Sequence, residues 1–283
     1  SIYAGSLDGE LLKIDSEEGE IVWEQETDFN ITGGMAVGFG VIAFGTQDGE
    51  LVVARTADGH VVWTAQLGAE VLAVPAITEH KVIVQTMDGH LYGYDRNTGE
   101  RKWTYDTPIP MLTLRGSSSP LIVGEFVIAG FANGKLVALD YETGLPIWER
   151  LVAQPAGRSE LERLVDVDGT LWSDGEVVYA ASYQGKIVAI DINSGTMLWS
   201  HSLSSYSGVA GAGDKVFATD AEGNVLAFDA LSGEEVWRQT RLTGRKLTAP
   251  VASGKYLVVG DIEGYLYWLD VADGKFADST TGG

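Results

Sequence analysis

The sequence predicts an all-β fold, a β-propeller of four-stranded antiparallel blades. Three observations carry this: glycines that recur in pairs ten residues apart, β-rich runs around them, and turn signals too frequent for any helix. Seven pairs keep the offset: Gly9/Gly19, Gly49/Gly59, Gly89/Gly99, Gly134/Gly144, Gly185/Gly195, Gly223/Gly233 and Gly264/Gly274. Two residues after each first glycine stands an aliphatic residue: Leu11, Leu51, Leu91, Leu136, Ile187, Val225 or Leu266. Six residues after it stands an aspartate in six units (Asp15, Asp95, Asp140, Asp191, Asp229, Asp270), with Arg55 the exception. Four residues after the second glycine comes a tryptophan in six units (Trp23, Trp63, Trp103, Trp148, Trp199, Trp237), while the seventh offers only Phe276. No segment keeps a 3.6-residue period for three turns.

Each element of the unit has a physical basis. The first strand is marked by a proline fourteen residues before the first glycine, at Pro75, Pro120 and Pro250. Proline within a sheet is confined to an edge, so this strand is expected to be the innermost. The second strand is a branched run, as in 81–86, 125–129 and 256–259. The pairs Asp8-Gly9, Asp48-Gly49, Asp88-Gly89 and Asn133-Gly134 then predict tight hairpins in which both central residues take positive φ. The third strand ends on the repeat aspartate, whose carboxylate is expected to accept backbone N–H groups of the next turn, closed by the second glycine in the left-handed region. The fourth strand carries the tryptophan, expected to pack between blades.

Counted this way, the chain supplies seven outer hairpins but six complete blades. Unit one begins at Ser1 without its first strand, and unit seven stops at Gly283. The expectation is a single propeller domain over 1–283 with an incomplete first blade and the final blade missing, as part of a longer protein.

Composition excludes several function classes. The 283 residues hold 19 Lys+Arg against 40 Asp+Glu, a net charge of −21, and nucleic-acid binding needs the opposite sign. The longest stretch free of charge and strong polarity, Met35 to Gly45, is far short of the ~18 apolar residues of a spanning helix. With no cysteine, disulfides, thiolate zinc and a cysteine nucleophile are excluded. His60, His80, His90 and His201 form no H-E-x-x-H, and nucleophile-elbow, dinucleotide and Walker patterns do not occur. The segment Asp166-Val-Asp168-Gly169 lacks the third oxygen position and distal glutamate of a calcium loop. No catalytic residue, metal or cofactor is therefore expected.

Function on a repeat scaffold is expected where the repeat departs from itself. Measured from each tryptophan to the position fourteen before the next first glycine, the linkers are 12, 12, 17, 23, 10 and 13 residues. The two long ones are consecutive and should leave on the face of the Asp-Gly turns, close enough to touch or nearly touch. The first contains Leu112, Leu114 and Arg115; the second contains Asp166 and Asp168, with Ser159 and Glu162 spaced as a capping box for one helical turn over 160–164. Aliphatic anchors beside an arginine match a protein-docking patch. The alternative is that Leu112 and Leu114 plug a blade edge while the aspartates pair with Arg115.

The Asp, Gly and Trp spacing resembles the quinoprotein (PQQ-type) propeller repeat rather than the WD repeat. More narrowly, 112–120, 158–168 and 258–268 resemble the BamB family, lipoproteins of the bacterial outer-membrane β-barrel assembly (BAM) machinery. The resemblance runs along essentially the whole chain. It implies an eight-bladed propeller at the periplasmic face of the outer membrane, held by an N-terminal lipid absent from this chain. It also implies docking on the periplasmic POTRA domains of BamA through Leu112, Leu114, Arg115, Asp166 and Asp168. Nascent outer-membrane proteins are a further possible partner. Two other readings share the repeat: a PQQ-dependent dehydrogenase, which also needs calcium and usually adjacent cysteines, and a ligand-sensing propeller.

Overall fold

A computed structural model describes residues 1–110, 118–153, 165–167 and 169–277, and among these every regular element is a strand. The chain forms two compact units. One comprises Ser1–Ile109, Arg115–Val127 and Leu139–Leu145; the other comprises Pro110–Leu114, Ile128–Ala138 and Pro146–Gly283. Seven antiparallel sheets follow one another along the chain, each with its strands in sequence order. The first sheet is β1 (Ile2–Gly5), β2 (Glu10–Ile14) and β3 (Ile21–Glu26). The second is β4 (Ala36–Gly38), β5 (Val41–Gly45), β6 (Glu50–Arg55) and β7 (Val61–Gln66); the third is β8 (Ala76–Ile77), β9 (Lys81–Gln85), β10 (His90–Asp95) and β11 (Arg101–Asp106). The fourth is β12 (Leu121–Val123), β13 (Phe126–Gly130), β14 (Lys135–Asp140) and β15 (Pro146–Leu151). The fifth is β16 (Trp172–Ser173), β17 (Val177–Ala181), β18 (Gly185–Asp191) and β19 (Met197–Leu203). The sixth is β20 (Val209–Ala212), β21 (Lys215–Thr219), β22 (Val225–Asp229) and β23 (Glu235–Gln239), and the seventh is β24 (Val251–Ser253), β25 (Tyr256–Gly260) and β26 (Leu266–Asp270).

Pro75, Pro120 and Pro250 each stand one residue before a first strand, and those strands are sheet edges as expected. Two expectations are corrected. Five sheets rather than six hold four strands among the described residues. Among the described residues, the seventh sheet has the Leu269–Phe276 bridge and the Ala277 N–H donating to the Trp268 carbonyl (2.8 Å) where a fourth strand would pair. The Asp-Gly hairpins are not turns with two positive-φ residues, because at Gly9, Gly49, Gly89 and Gly134 only the glycine is left-handed. In the first, the Gly9 N–H donates to the Ser6 carbonyl (3.1 Å) and the Ser6 N–H donates to the Glu10 carbonyl (2.9 Å). That is a three-residue loop of a type I turn closed by a bulge glycine, which spares the aspartate a strained φ.

The middle strands read as unbroken apolar runs because both of their faces are covered. In the second sheet, Ile42, Phe44, Val52 and Ala54 pack towards Leu11 and Trp23 of the first, while Ala43, Leu51 and Val53 pack towards Val82, Val84 and Tyr92 of the third. The sixth sheet divides likewise, Val216, Ala218, Leu226 and Phe228 facing the fifth and Phe217, Val225 and Ala227 facing the seventh. A period-two strand thus serves two cores at once.

The repeat motif is itself a clasp between consecutive units. Each tryptophan indole N–H donates to a backbone carbonyl just after the repeat aspartate position of the next unit: Trp23 to Thr56 (3.2 Å), Trp63 to Arg96 (2.8 Å), Trp103 to Tyr141 (3.1 Å), Trp148 to Ile192 (2.6 Å), Trp199 to Ala230 (2.8 Å) and Trp237 to Val271 (3.1 Å). The same ring lies on that unit's second glycine, so a Cβ at Gly195 would fall 2.7 Å from Trp148 Cγ.

The aspartates act as the expected turn locks. Asp140 accepts the Thr143 N–H (2.8 Å) and hydroxyl (2.6 Å), and Asp191 and Asp229 hold Ser194 and Ser232 in the same way. Where Arg55 replaces aspartate, its guanidinium pairs with Asp58 instead (3.0 and 2.7 Å). The donated hydrogen bonds hold Asp15, Asp95, Asp140, Asp191 and Asp229 below the ordinary 3.8. A carboxyl with a lower pKa folded than unfolded stabilises above the unfolded value and ceases to do so as pH falls through the folded one. Resistance to urea is therefore expected to drop below about pH 4. Asp140→Asn, which keeps the acceptor oxygen, should lessen that dependence, and an unchanged pH slope in urea titrations would refute the assignment.

Candidate protein-docking site

Both long linkers leave on the Asp-Gly turn side of the sheets from which they come. In the first, the Thr107 N–H donates to the Gly89 carbonyl in the β9–β10 turn (3.1 Å), and Thr107 is buried. Its far end is tied by the Ser119 hydroxyl, which accepts the Val74 N–H (3.2 Å). Leu112, Leu114 and Arg115 lie outside the described residues, as do the 160–164 segment expected to make a helical turn and the stretch in which the two linkers were expected to meet.

The second linker is seated more deeply. It departs with the Val152 N–H donating to the Gly134 carbonyl (2.8 Å), and Val165 and Val167 are buried. The Val167 N–H donates to the Phe131 carbonyl in the β13–β14 turn (3.4 Å), while the Asp166 carbonyl accepts the Tyr183 N–H in the β17–β18 turn (2.8 Å). Residues 165–167 are thus wedged as an extended segment between the turns of two consecutive sheets. Gly130 permits the approach: a Cβ there would lie 2.3 Å from the Val167 carbonyl oxygen. Beyond the wedge, Thr170 pairs with Gly208 in a parallel bridge, its N–H donating to the Ser207 carbonyl (3.2 Å). Asp166 is only 2% exposed, so it stands behind the surface rather than on it. Asp168 lies outside the described residues.

Reading the sequence alone overlooks one feature beside this wedge. Six of the seven first glycines of the repeat have positive φ, and Gly185 does not; in its turn Gln184 takes φ 50° instead. A Cβ at Gly185 would lie 2.2 Å from the Ser182 Oγ of its own turn and 2.6 Å from the Ala153 Cβ, so this glycine serves close approach of both rather than a left-handed φ. The altered turn sets the Tyr183 ring against Tyr206, centroids 4.5 Å apart and planes 23° from parallel, with Tyr206 52% exposed. The adjacent Tyr183 hydroxyl pushes Tyr206 up to about 12, and Tyr206 in turn holds Tyr183 below its ordinary value. The available signal was Gln-Gly, preceded by tyrosine, where four other units have Asp-Gly or Asn-Gly and the last two have Glu222-Gly223 and Glu263-Gly264.

Among the described residues no group of three or more His, Asp or Glu side chains is arranged to hold a metal ion, and no helix is long and apolar enough to cross a membrane.

Stacked antiparallel sheets, clasped by tryptophan on glycine and interrupted by two linkers on the turn side, define a β-propeller of PQQ-type repeats. A family model described as outer membrane protein assembly factor BamB matches residues 7–239 and 221–279. A protein of that name from Pseudomonas aeruginosa is 48% identical over 276 residues, covering 98% of this chain and 73% of the relative; one from Vibrio cholerae is 41% identical over 279 residues, covering 97% and 72%. The crystal structure of BamB from Moraxella catarrhalis superimposes with a TM-score of 0.90 at 33% identity, covering 98% of this chain and 83% of that one. The chain belongs to the BamB family of outer membrane protein assembly factors.

Proposed function

We propose that the protein is a non-catalytic scaffold of the outer-membrane β-barrel assembly machinery, working at the periplasmic face of the outer membrane and docking on the POTRA domains of BamA. The relatives' names supply the process. The observation that carries the docking site is the wedge of residues 165–167, which fixes a long linker on the turn side of two sheets. A linker kept only as slack would not be ordered by two buried valines and backbone hydrogen bonds from both neighbouring turns. In this reading Leu112, Leu114, Arg115 and Asp168 contact the partner, and the enclosed Asp166 positions the second linker. The repeat aspartates add no acid or base chemistry, since their own turns engage them.

The test is co-purification with the POTRA domains of BamA. Arg115→Ala and Asp168→Ala are each expected to abolish capture while leaving the thermal transition unchanged, because truncating a central arginine or its anionic counterpart removes a dominant contact. Retained capture in both single variants and in the double variant would remove these residues from the site.

A further inference from the structure

The β17–β18 turn is the place where the repeat's own turn chemistry is abandoned, and it lies directly on the wedge. Gln184 at φ 50° is one of two non-glycine residues in the left-handed region among those described, the other being Phe39. A non-glycine residue in the left-handed region is strained, and such strain gathers where a site needs a particular presentation. The turn is pinned on both sides: the Tyr183 N–H donates to the Asp166 carbonyl (2.8 Å), and the Gln184 N–H donates to the Ser204 hydroxyl (3.1 Å). The product is a rigid pair of stacked phenols, of which Tyr206 leaves one face to solvent.

An exposed aromatic face attracts a cation. The surroundings favour the same sign: Glu222 contributes negative charge at Tyr206, and the whole chain carries −21. Among cations, a guanidinium is planar, stacks on aromatic rings and sheds water more readily than an ammonium. We propose that the Tyr183–Tyr206 pair forms an aromatic extension of the docking surface and receives an arginine of the POTRA partner, with the guanidinium on the open face of Tyr206 and Glu222 as its neighbouring anion. This rests on the docking reading above and names the partner chemistry it requires.

The experiment titrates the full chain with the BamA POTRA fragment by calorimetry. Tyr206→Ala is expected to weaken binding about tenfold, and Tyr206→Phe, which keeps the ring, to stay within about twofold. Replacing the matching POTRA arginine with alanine should remove most of the Tyr206→Ala effect in a double-mutant cycle. Unchanged thermal transitions would separate lost contact from lost fold. Tyr206→Ala within twofold of wild type, or no POTRA arginine that couples to it, overturns the inference. If Arg115→Ala abolishes binding while Tyr206→Ala does not, only this inference falls. If wild type does not bind, both fall.

Discussion

Gly195→Val is expected to cost about 4 kcal/mol of stability, as much as removing a large core side chain, although it adds only three carbons at a partly exposed turn. Two penalties combine. Gly195 has φ 66°, and a branched residue held in the left-handed region costs about 1–2 kcal/mol. The new Cβ would also lie 2.7 Å from Trp148 Cγ and 2.9 Å from Cδ2, forcing a ring that is 6% exposed out of place and endangering its hydrogen bond to the Ile192 carbonyl. Losing that packing costs about 2–3 kcal/mol more. Trp148→Ala alone should cost about 3–5 kcal/mol. Because both changes break one contact, the double variant should fall short of their sum by about 1–2 kcal/mol, as read from urea unfolding. Strict additivity would mean that the glycine answers only to its own φ and not to the tryptophan.

That clasp explains why the repeat was so legible. The tryptophan of one unit and the second glycine of the next touch face to ring, so both residues and their spacing recur together. The aspartate locks were legible for a related reason: Asp140 bonds with residues three positions on, and local contacts of that kind depend on short-range sequence. The hairpin geometry was misread because Asp-Gly suits both a two-residue turn and a type I turn with a bulge glycine, and only the backbone distinguishes them.

The site was legible in part. Linker lengths located Asp166, but its depth could not be read, since alternation puts Val165 and Val167 on one side and Asp166 on the other, and only neighbouring turns decide that both sides are covered. Tyr183 and Tyr206 stand 23 residues apart, and nothing local brings their rings together. Their pairing follows from the altered Gln184 turn and from the Ser204 hydroxyl that holds it.

Gly130→Val should separate the seat of the second linker from its contact residues, because it alters no residue of either linker. The backbone at Gly130 is not left-handed, so valine meets no φ penalty at the end of β13. Its Cβ would, however, lie 2.3 Å from the Val167 carbonyl oxygen and 2.6 Å from Val167 Cγ1. A backbone atom cannot rotate aside, so residues 165–167 must lift out of the wedge. Exposing Val165 and Val167 should cost about 2–3 kcal/mol, which the remaining sheets can absorb. The local signature is loss of exchange protection at the Tyr183 amide, which gives up its bond to the Asp166 carbonyl, while amides in β21 and β22 stay protected. If docking needs the linker held in place, POTRA affinity should fall by at least about thirtyfold, a loss comparable to truncating a central anchor. Gly130→Ala should lie between, since a single methyl still meets the carbonyl. If the Tyr183 amide exchanges freely and affinity is unchanged, the wedge is a structural tie and the partner is held elsewhere on the molecule.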